Sequence, residues 1–286
     1  MIEAIGRLTP VDAHLIDVRK QSWLLRWGAS ARSLDARGLP VPTLTICVGR
    51  ATQAAALAAR RRFGGRAICL MKPHLPIGWF DLCLIPMHDN VPQRDNVIPT
   101  RGALNPMTAA TAPRDDRGLI LIGGPSRQFD CNDTALIEQI TTIAGIDQTC
   151  QWTLTTARRT PEHLTQRLRE LQCGNVTVVP FDQTPLGWVA EQLNEASRVW
   201  VTEDSVSMVS EALTAGASVG LLPMPLRSRP SRVVEGVRQL IRDGYVTPFE
   251  TWTQTHTLAP PPQRLDEANR CAALIVERFL TRDHGL

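Results

Sequence analysis

The chain has 286 residues, of which 43% are apolar and 21% charged, with a formal net charge of +3. That length suits two domains of ordinary size better than one core, and the composition is that of a globular protein. The basic excess is mild and unclustered, which excludes nucleic acid as the expected partner.

No secretory leader pattern opens the chain. The longest apolar-looking run, Pro76 to Met87, is broken by Asp81 and falls short of the roughly 20 residues that cross a bilayer. The seven cysteines form no Cys-x-x-Cys pair, and several lie in apolar strand-like runs. They read as small hydrophobes of a cytoplasmic protein, not as a disulfide framework. The six histidines are scattered, so no metal site is expected.

Along the chain, strand and helix patterns alternate almost throughout, which predicts parallel sheets with crossover helices. Met1–Leu8 reads as the end of a helix, with Ile2, Ile5 and Leu8 on one face. A Rossmann-like half normally opens with a strand and a glycine turn. The pattern therefore predicts that residue 1 stands about one βα unit late; a frayed N-terminal helix is the alternative. Val11–Val18, Thr43–Val48, Ala67–Met71, Phe80–Pro86 and Asn96–Thr100 are expected strands, and Ala51–Phe63 is an expected helix closed by Gly64 and Gly65. Residues 108–118 are small, polar and charged, the expected linker between an N-terminal domain (1–112) and a C-terminal domain (118–286).

The second half repeats the design. Expected strands are Leu119–Ile122, Trp152–Thr155, Val176–Val179, Val199–Val201 and Val219–Leu222. Helices are expected from Asp133 as cap to Ala144, after Thr160 as cap with Pro161 first, and over Leu186–Ala196, Val206–Ala215, Ser231–Arg242 and Arg264–Leu280. The fold class is α/β, with two Rossmann-like domains, parallel sheets facing across a cleft and a closing C-terminal helix.

Candidate chemistry gathers at strand ends. Open α/β sheets bind ligands outside the carboxyl ends of their strands. After Val199–Val201 come Glu203, Asp204, Ser205 and Ser207, at a helix start whose free N–H groups favour an anion. Glu211 lies one turn beyond Ser207 on the same helix face, where its carboxylate can accept two hydrogen bonds from a ribose diol. An ordinary exposed helix glutamate is the alternative. Glu203 and Asp204 are further catalytic carboxylates, or simply acids favoured by the helix dipole; Asp204 or Ser205 caps the helix. Gly123-Gly124-Pro125-Ser126 can bring backbone N–H groups to a phosphate, or be a plain turn. Arg158 and Arg159, among Thr155, Thr156 and Thr160, suit a diphosphate. His88, beside Asp89, is a candidate general base, and the stretch from Thr100 to Pro106 is a further polar loop. Trp23, Leu24, Leu25 and Trp27 interleave with Arg19, Lys20 and Arg26. They can rest on an anionic membrane surface or pack in the core with snorkelling cations.

Five segments together, Leu121–Ser126, Thr155–Pro161, Val201–Ala212, Pro86–Asp89 and Asn96–Asn105, resemble the mitochondrial fission "elongated mitochondria" family, which has many bacterial members. The resemblance covers nearly the whole chain and implies similarity to GT-B glycosyltransferases, with a nucleotide-sugar donor held mainly by the C-terminal domain. It implies that Gly123, Gly124, Ser126, Arg158, Ser205, Ser207 and Glu211 line the donor cleft, and that His88, Asp89 and Asn105 lie on the acceptor side. The chain departs from the family at its front, where a strand and a glycine-rich, Gly-His-containing loop are usual.

The function expected is a cytoplasmic, metal-independent glycosyltransferase without cofactor, using a nucleotide-sugar donor and a glycan or lipid acceptor, with peripheral contact at the inner membrane. A non-catalytic adaptor and a nucleotide-sugar epimerase are the alternatives.

Overall fold

Two all-parallel sheets carry the alternating pattern. The computed structural model describes residues 1–20, 34, 38–228 and 231–281, and its contacts divide the chain into two compact units, Met1–Leu104 with Glu267–Leu286, and Asn105–Asp266. The basic-aromatic segment at Trp23–Trp27 lies outside the described residues.

The N-terminal unit opens with a short helix, α1 (Ile2–Gly6). Strands β1 (Leu44–Val48), β2 (Arg66–Leu70), β3 (Leu82–Pro86) and β4 (Val97–Thr100) pair in that order. Every residue of β3 is buried, which explains its unbroken apolar run where a one-sided strand would alternate. Helix α2 (Arg50–Phe63) buries Ala55, Ala56, Ala58 and Ala59, small side chains that let it lie close to the sheet. Cys47, Cys69 and Cys83 stand abreast across β1, β2 and β3, all buried. Burial pushes the Cys83 thiol up to about 12, so it is inert packing.

The C-terminal unit is built on β5 (Arg114–Leu121), β6 (Gln151–Thr155), β7 (Val176–Val179), β8 (Ala196–Thr202), β9 (Ser218–Leu222) and β10 (Val246–Pro248). Their spatial order is β10-β9-β8-β5-β6-β7. The crossover helices are α3 (Asp133–Ile146), α4 (Glu162–Arg169), α5 (Trp188–Glu195), α6 (Val206–Ala215) and α7 (Arg232–Arg242), and α8 (Phe249–Thr255) follows β10. One face of the sheet buries Leu119, Leu121, Val199, Val201, Val219 and Leu221 against α6 and α7. The other buries Trp152 and Trp200. Each of these large rings lies over a glycine in register on the next strand, Trp152 over Gly118 and Trp200 over Gly220. A last helix, α9 (Glu267–Phe279), joins the N-terminal unit, where Ala268, Cys271, Ala272 and Ile275 pack with Ala4 and Ile5 of α1 and with Ile68, Leu82 and Leu84.

Several expectations are corrected. Val11–Val18 forms no strand; it has no sheet neighbour among the described residues, and Leu15 is 84% exposed. The expected linker is strand from Arg114 onward, because this polar half pairs through backbone, with Arg114 opposite Ala196. Asn132, not Asp133, caps α3, accepting from the N–H of Ala135 at 3.1 Å. Thr160 does not cap α4, which starts at Glu162 with Pro161 before it. Short β10 and α8 were not expected at all; the Pro248 between them offers no long periodic signal.

Candidate functional site

The chain leaves β5 toward β6 and β7, then crosses back to place β8 on the other side of β5. The strand order therefore reverses between β5 and β8, and a ligand crevice is expected outside their carboxyl ends. Three loops of the C-terminal unit meet there: Ile122–Ser126 after β5, Thr156–Thr160 after β6 and Glu203–Ser205 after β8.

Asp204 organises these loops. Its side chain is fully buried, and its Oδ2 accepts from the N–H of Gly124 at 3.1 Å and from Arg159 Nε at 3.0 Å, with Arg159 Nη2 closing the ion pair. The N–H of Gly123 donates to Thr202 Oγ1 at 2.8 Å. Thr160 Oγ1 donates to the Gly123 carbonyl and accepts from the N–H of Ala157 at 2.8 Å. A Cβ on Gly123 would collide with the Asp204 carboxylate, and one on Gly124 would lie 2.6 Å from the Arg159 carbonyl oxygen. The glycines are required for this close approach rather than for a positive φ.

The structure gives these candidate residues partners within the protein. The Gly123 and Gly124 amides, expected to face a phosphate, are satisfied from within the protein. Arg158 and Arg159 do not act as a pair. Arg159 is bound to Asp204, while the exposed Arg158 stacks its guanidinium 5.4 Å from the centre of the Phe181 ring. Ser126 Oγ accepts from the N–H groups of Gln128 and Phe129 at 3.2 and 3.1 Å, holding its own turn.

Helix α6 supplies what the glycine loop does not. Ser205 stands at its N-cap position but makes no capping bond with its side chain, and its first turn holds no acid. The first N–H groups of such a helix lack intrahelical partners, and the dipole favours an anion there. Ser207 is exposed in the first turn, and Glu211 follows one turn later. Glu211 is half-buried and accepts no hydrogen bond among the described residues; burial raises its pKa from the ordinary 4.5. Burial likewise raises the pKa of Glu203, opposed by the hydrogen bond its Oε2 accepts from the N–H of Met224 at 3.4 Å and reinforced by Glu250. The site thus has a positive helix end, an exposed hydroxyl and two carboxyls whose pKa burial raises.

Gln128, which sequence reasoning missed, fastens a fourth loop. Its side chain donates to Ser228 Oγ at 3.0 Å and accepts from the N–H of Ser231 at 2.8 Å, beside the antiparallel bridge between Phe129 and Leu226. Thr202 was also missed, although a polar residue ending a buried apolar strand is a readable signal.

The remaining candidates fall elsewhere. His88 and Asp89 lie in a one-turn 3-10 helix after β3 in the N-terminal unit, where Lys72 Nζ donates to the Asp89 carbonyl at 2.6 Å. Asn105 begins the C-terminal unit. Its Nδ2 donates to Thr214 Oγ1 at 3.1 Å, and its Oδ1 accepts from the N–H of Met107 at 3.0 Å. Thr214 is roughly 10 Å along α6 from Ser207, so Asn105 secures the far end of that helix. Among the described residues, no group of three or more His, Cys, Asp or Glu could hold a metal ion, and no helix is long and apolar enough to cross a membrane.

Parallel sheets in two Rossmann-like units, with the strand order reversing between β5 and β8, define a GT-B-like fold. The chain belongs to the family described as mitochondrial fission ELM1, whose model matches residues 2–279. A relative from Rickettsia prowazekii, the uncharacterised protein RP120, is 22% identical over 283 residues, covering 82% of this chain and 79% of its own. Among solved structures, a putative UDP-N-acetylglucosamine 2-epimerase from Listeria monocytogenes superposes with a TM-score of 0.57 at 14% identity, covering 89% of this chain and 78% of its own. The UDP-GlcNAc 2-epimerase of Methanocaldococcus jannaschii has the same TM-score at 11% identity, with 96% and 88% covered. At such identities the likeness shows the fold.

Proposed function

We propose that this chain binds a nucleoside-diphosphate sugar at the carboxyl ends of β5 and β8 and transfers the sugar to a glycan or lipid acceptor. The observation that carries the reading is Glu211, a half-buried carboxylate without a hydrogen-bond partner, one turn in from a helix N-terminus that no side chain caps. A ribose diol donates two hydrogen bonds to such a carboxylate, and the diphosphate then takes the N–H groups of α6 and the Ser207 hydroxyl.

Transfer breaks the bond between the anomeric carbon and the diphosphate oxygen while an acceptor oxygen attacks that carbon. The departing charge is stabilised by the α6 dipole and by Arg158, the guanidinium of the pair that Asp204 does not hold. His88 is the base assigned to the acceptor proton. The reaction runs in the cytoplasm without metal or cofactor, and a lipid acceptor would bring the protein to the inner-membrane surface.

Epimerisation of the sugar is the second reading. It is favoured by Glu203, a carboxyl at the same strand end whose pKa burial raises, and by the fold shared with two superposed structures named as UDP-N-acetylglucosamine 2-epimerases. Incubation with UDP-N-acetylglucosamine, followed by NMR of the products, separates the readings. Acceptor-dependent release of UDP supports transfer, and an acceptor-independent C2 epimer supports epimerisation. Binding with neither product, with or without chelator, contradicts both and leaves an adaptor.

A further inference from the structure

At the amino ends of the same strands, the C-terminal unit contains a half-open cavity of about 480 Å³. Trp152, Trp200 and Trp252 line its floor; Asp115, Asp147 and Arg198 stand among its polar walls. The cavity has a local cause. Arg114 is in register with Ala196 and Gly118 with Arg198, so residues 115–117 of β5 face Ser197 alone on β8. Such a bulge disrupts the ladder and re-aims side chains. Two lining residues carry buried polar atoms without a hydrogen-bond partner: Ser197 Oγ, and Nε1 of Trp152, a residue only 1% exposed.

We propose that this cavity is a second small-molecule site, which takes one neutral saccharide unit. Its chemistry selects that class. The Trp152 N–H can only donate and needs an acceptor, while the Asp115 and Asp147 carboxylates can only accept and need donors. A hydroxyl does both, and a ring of hydroxyls does both in several directions at once. Two carboxylates, Asp115 and Asp147, stand against the Arg198 guanidinium, ion-paired with Asp147, and the His256 imidazole, so the lining carries no net positive charge and disfavours a phosphate. An apolar floor with a few convergent polar groups, in a volume of this order, is the usual make-up of a small-molecule pocket. Arg198 and Thr202 mark the two ends of β8, roughly 13 Å apart, so this site is separate from the proposed donor site and does not rest on that reading.

The test is a titration of the isotope-labelled full chain with D-glucose, following the tryptophan indole N–H signals by NMR. The Trp152 signal is identified by its absence in Trp152→Phe, a change that keeps a ring over Gly118. The proposal expects a saturable shift of that signal at millimolar glucose, unchanged by saturating UDP and larger than the shift produced by glucose phosphate. Ser197→Ala, which leaves the Trp152 ring in place, is expected to weaken binding roughly fivefold. No saturable shift in the parent chain would mean that the cavity holds water only and would overturn the proposal. So would displacement by UDP, or tighter binding of glucose phosphate than of glucose.

Discussion

The backbone N–H of Gly124 donates to the buried Oδ2 of Asp204 at 3.1 Å, so the glycine loop after β5 is held by the acidic turn after β8. The two loops that flank the topological switch point are thereby one unit, with Arg159 bound to the same oxygen. The glycine amides are thus taken up within the protein, and the proposed site relies on the α6 N-terminus instead.

Replacing Asp204 tests that interlock. Asp204→Ala strands the Gly124 N–H and leaves Arg159, whose side chain is 41% exposed, without its partner; a loss of about 2 kcal/mol is expected. Asp204→Asn keeps an acceptor for Gly124 and loses about half as much. Urea denaturation of both variants checks the ordering, and equal stability of all three proteins would contradict it.

Gly123→Ala places a methyl group against the Asp204 carboxylate and 2.7 Å from Arg159 Nη2. Such overpacking typically costs 1–3 kcal/mol, so a drop of about 2 kcal/mol and weakened nucleotide binding are expected together. Gly145→Ala, at a helical position with open space around its Cβ, is the control: it should leave nucleotide binding unchanged and cost no stability.

Gly220→Ala pushes a methyl group into the Trp200 ring and is expected to destabilise by a similar amount. Combining it with Trp200→Phe relieves the collision, so the double variant should lie above the sum of the single losses by about 1 kcal/mol. Strict additivity would show that the ring and the glycine do not share one packing space.

Glu211 makes binding depend on pH. Burial raises its pKa in the folded protein, so its ionised form opposes folding: between the ordinary value of 4.5 and the raised one, stability falls as pH rises. A ribose diol hydrogen-bonded to the carboxylate favours the ionised form and lowers that pKa again. Nucleotide affinity should therefore rise with pH through the raised pKa, with protons released on binding. Calorimetry in buffers of different ionisation enthalpy measures the release, which should vanish in Glu211→Gln.

Much of the fold is legible in the residues themselves. The helix Val206–Ala215 and the strand Val176–Val179 stand where their patterns place them, because apolar periodicity and the Gly216 stop leave little choice. That the glycine loop and the acidic turn follow strand ends is legible in the same alternation. The wiring between them is not. That Asp204 turns inward to Gly124 and Arg159 depends on β5 and β8 lying side by side, which no local pattern states. The same holds for Thr160, whose hydroxyl faces a helix start in sequence but the Gly123 carbonyl in space. Val11–Val18 shows the converse failure, since alternation alone makes no strand without a neighbour to pair with.

The measurement that bears most directly on the central claim is a calorimetric titration of the chain and of Glu211→Ala with UDP and UDP-N-acetylglucosamine. The account predicts saturable binding by the parent, weakened about 30-fold in the variant, with the fold of the variant at least as stable because an unpartnered buried carboxylate has been removed. Absence of nucleotide binding by the parent, or equal affinity in the two proteins, would contradict it.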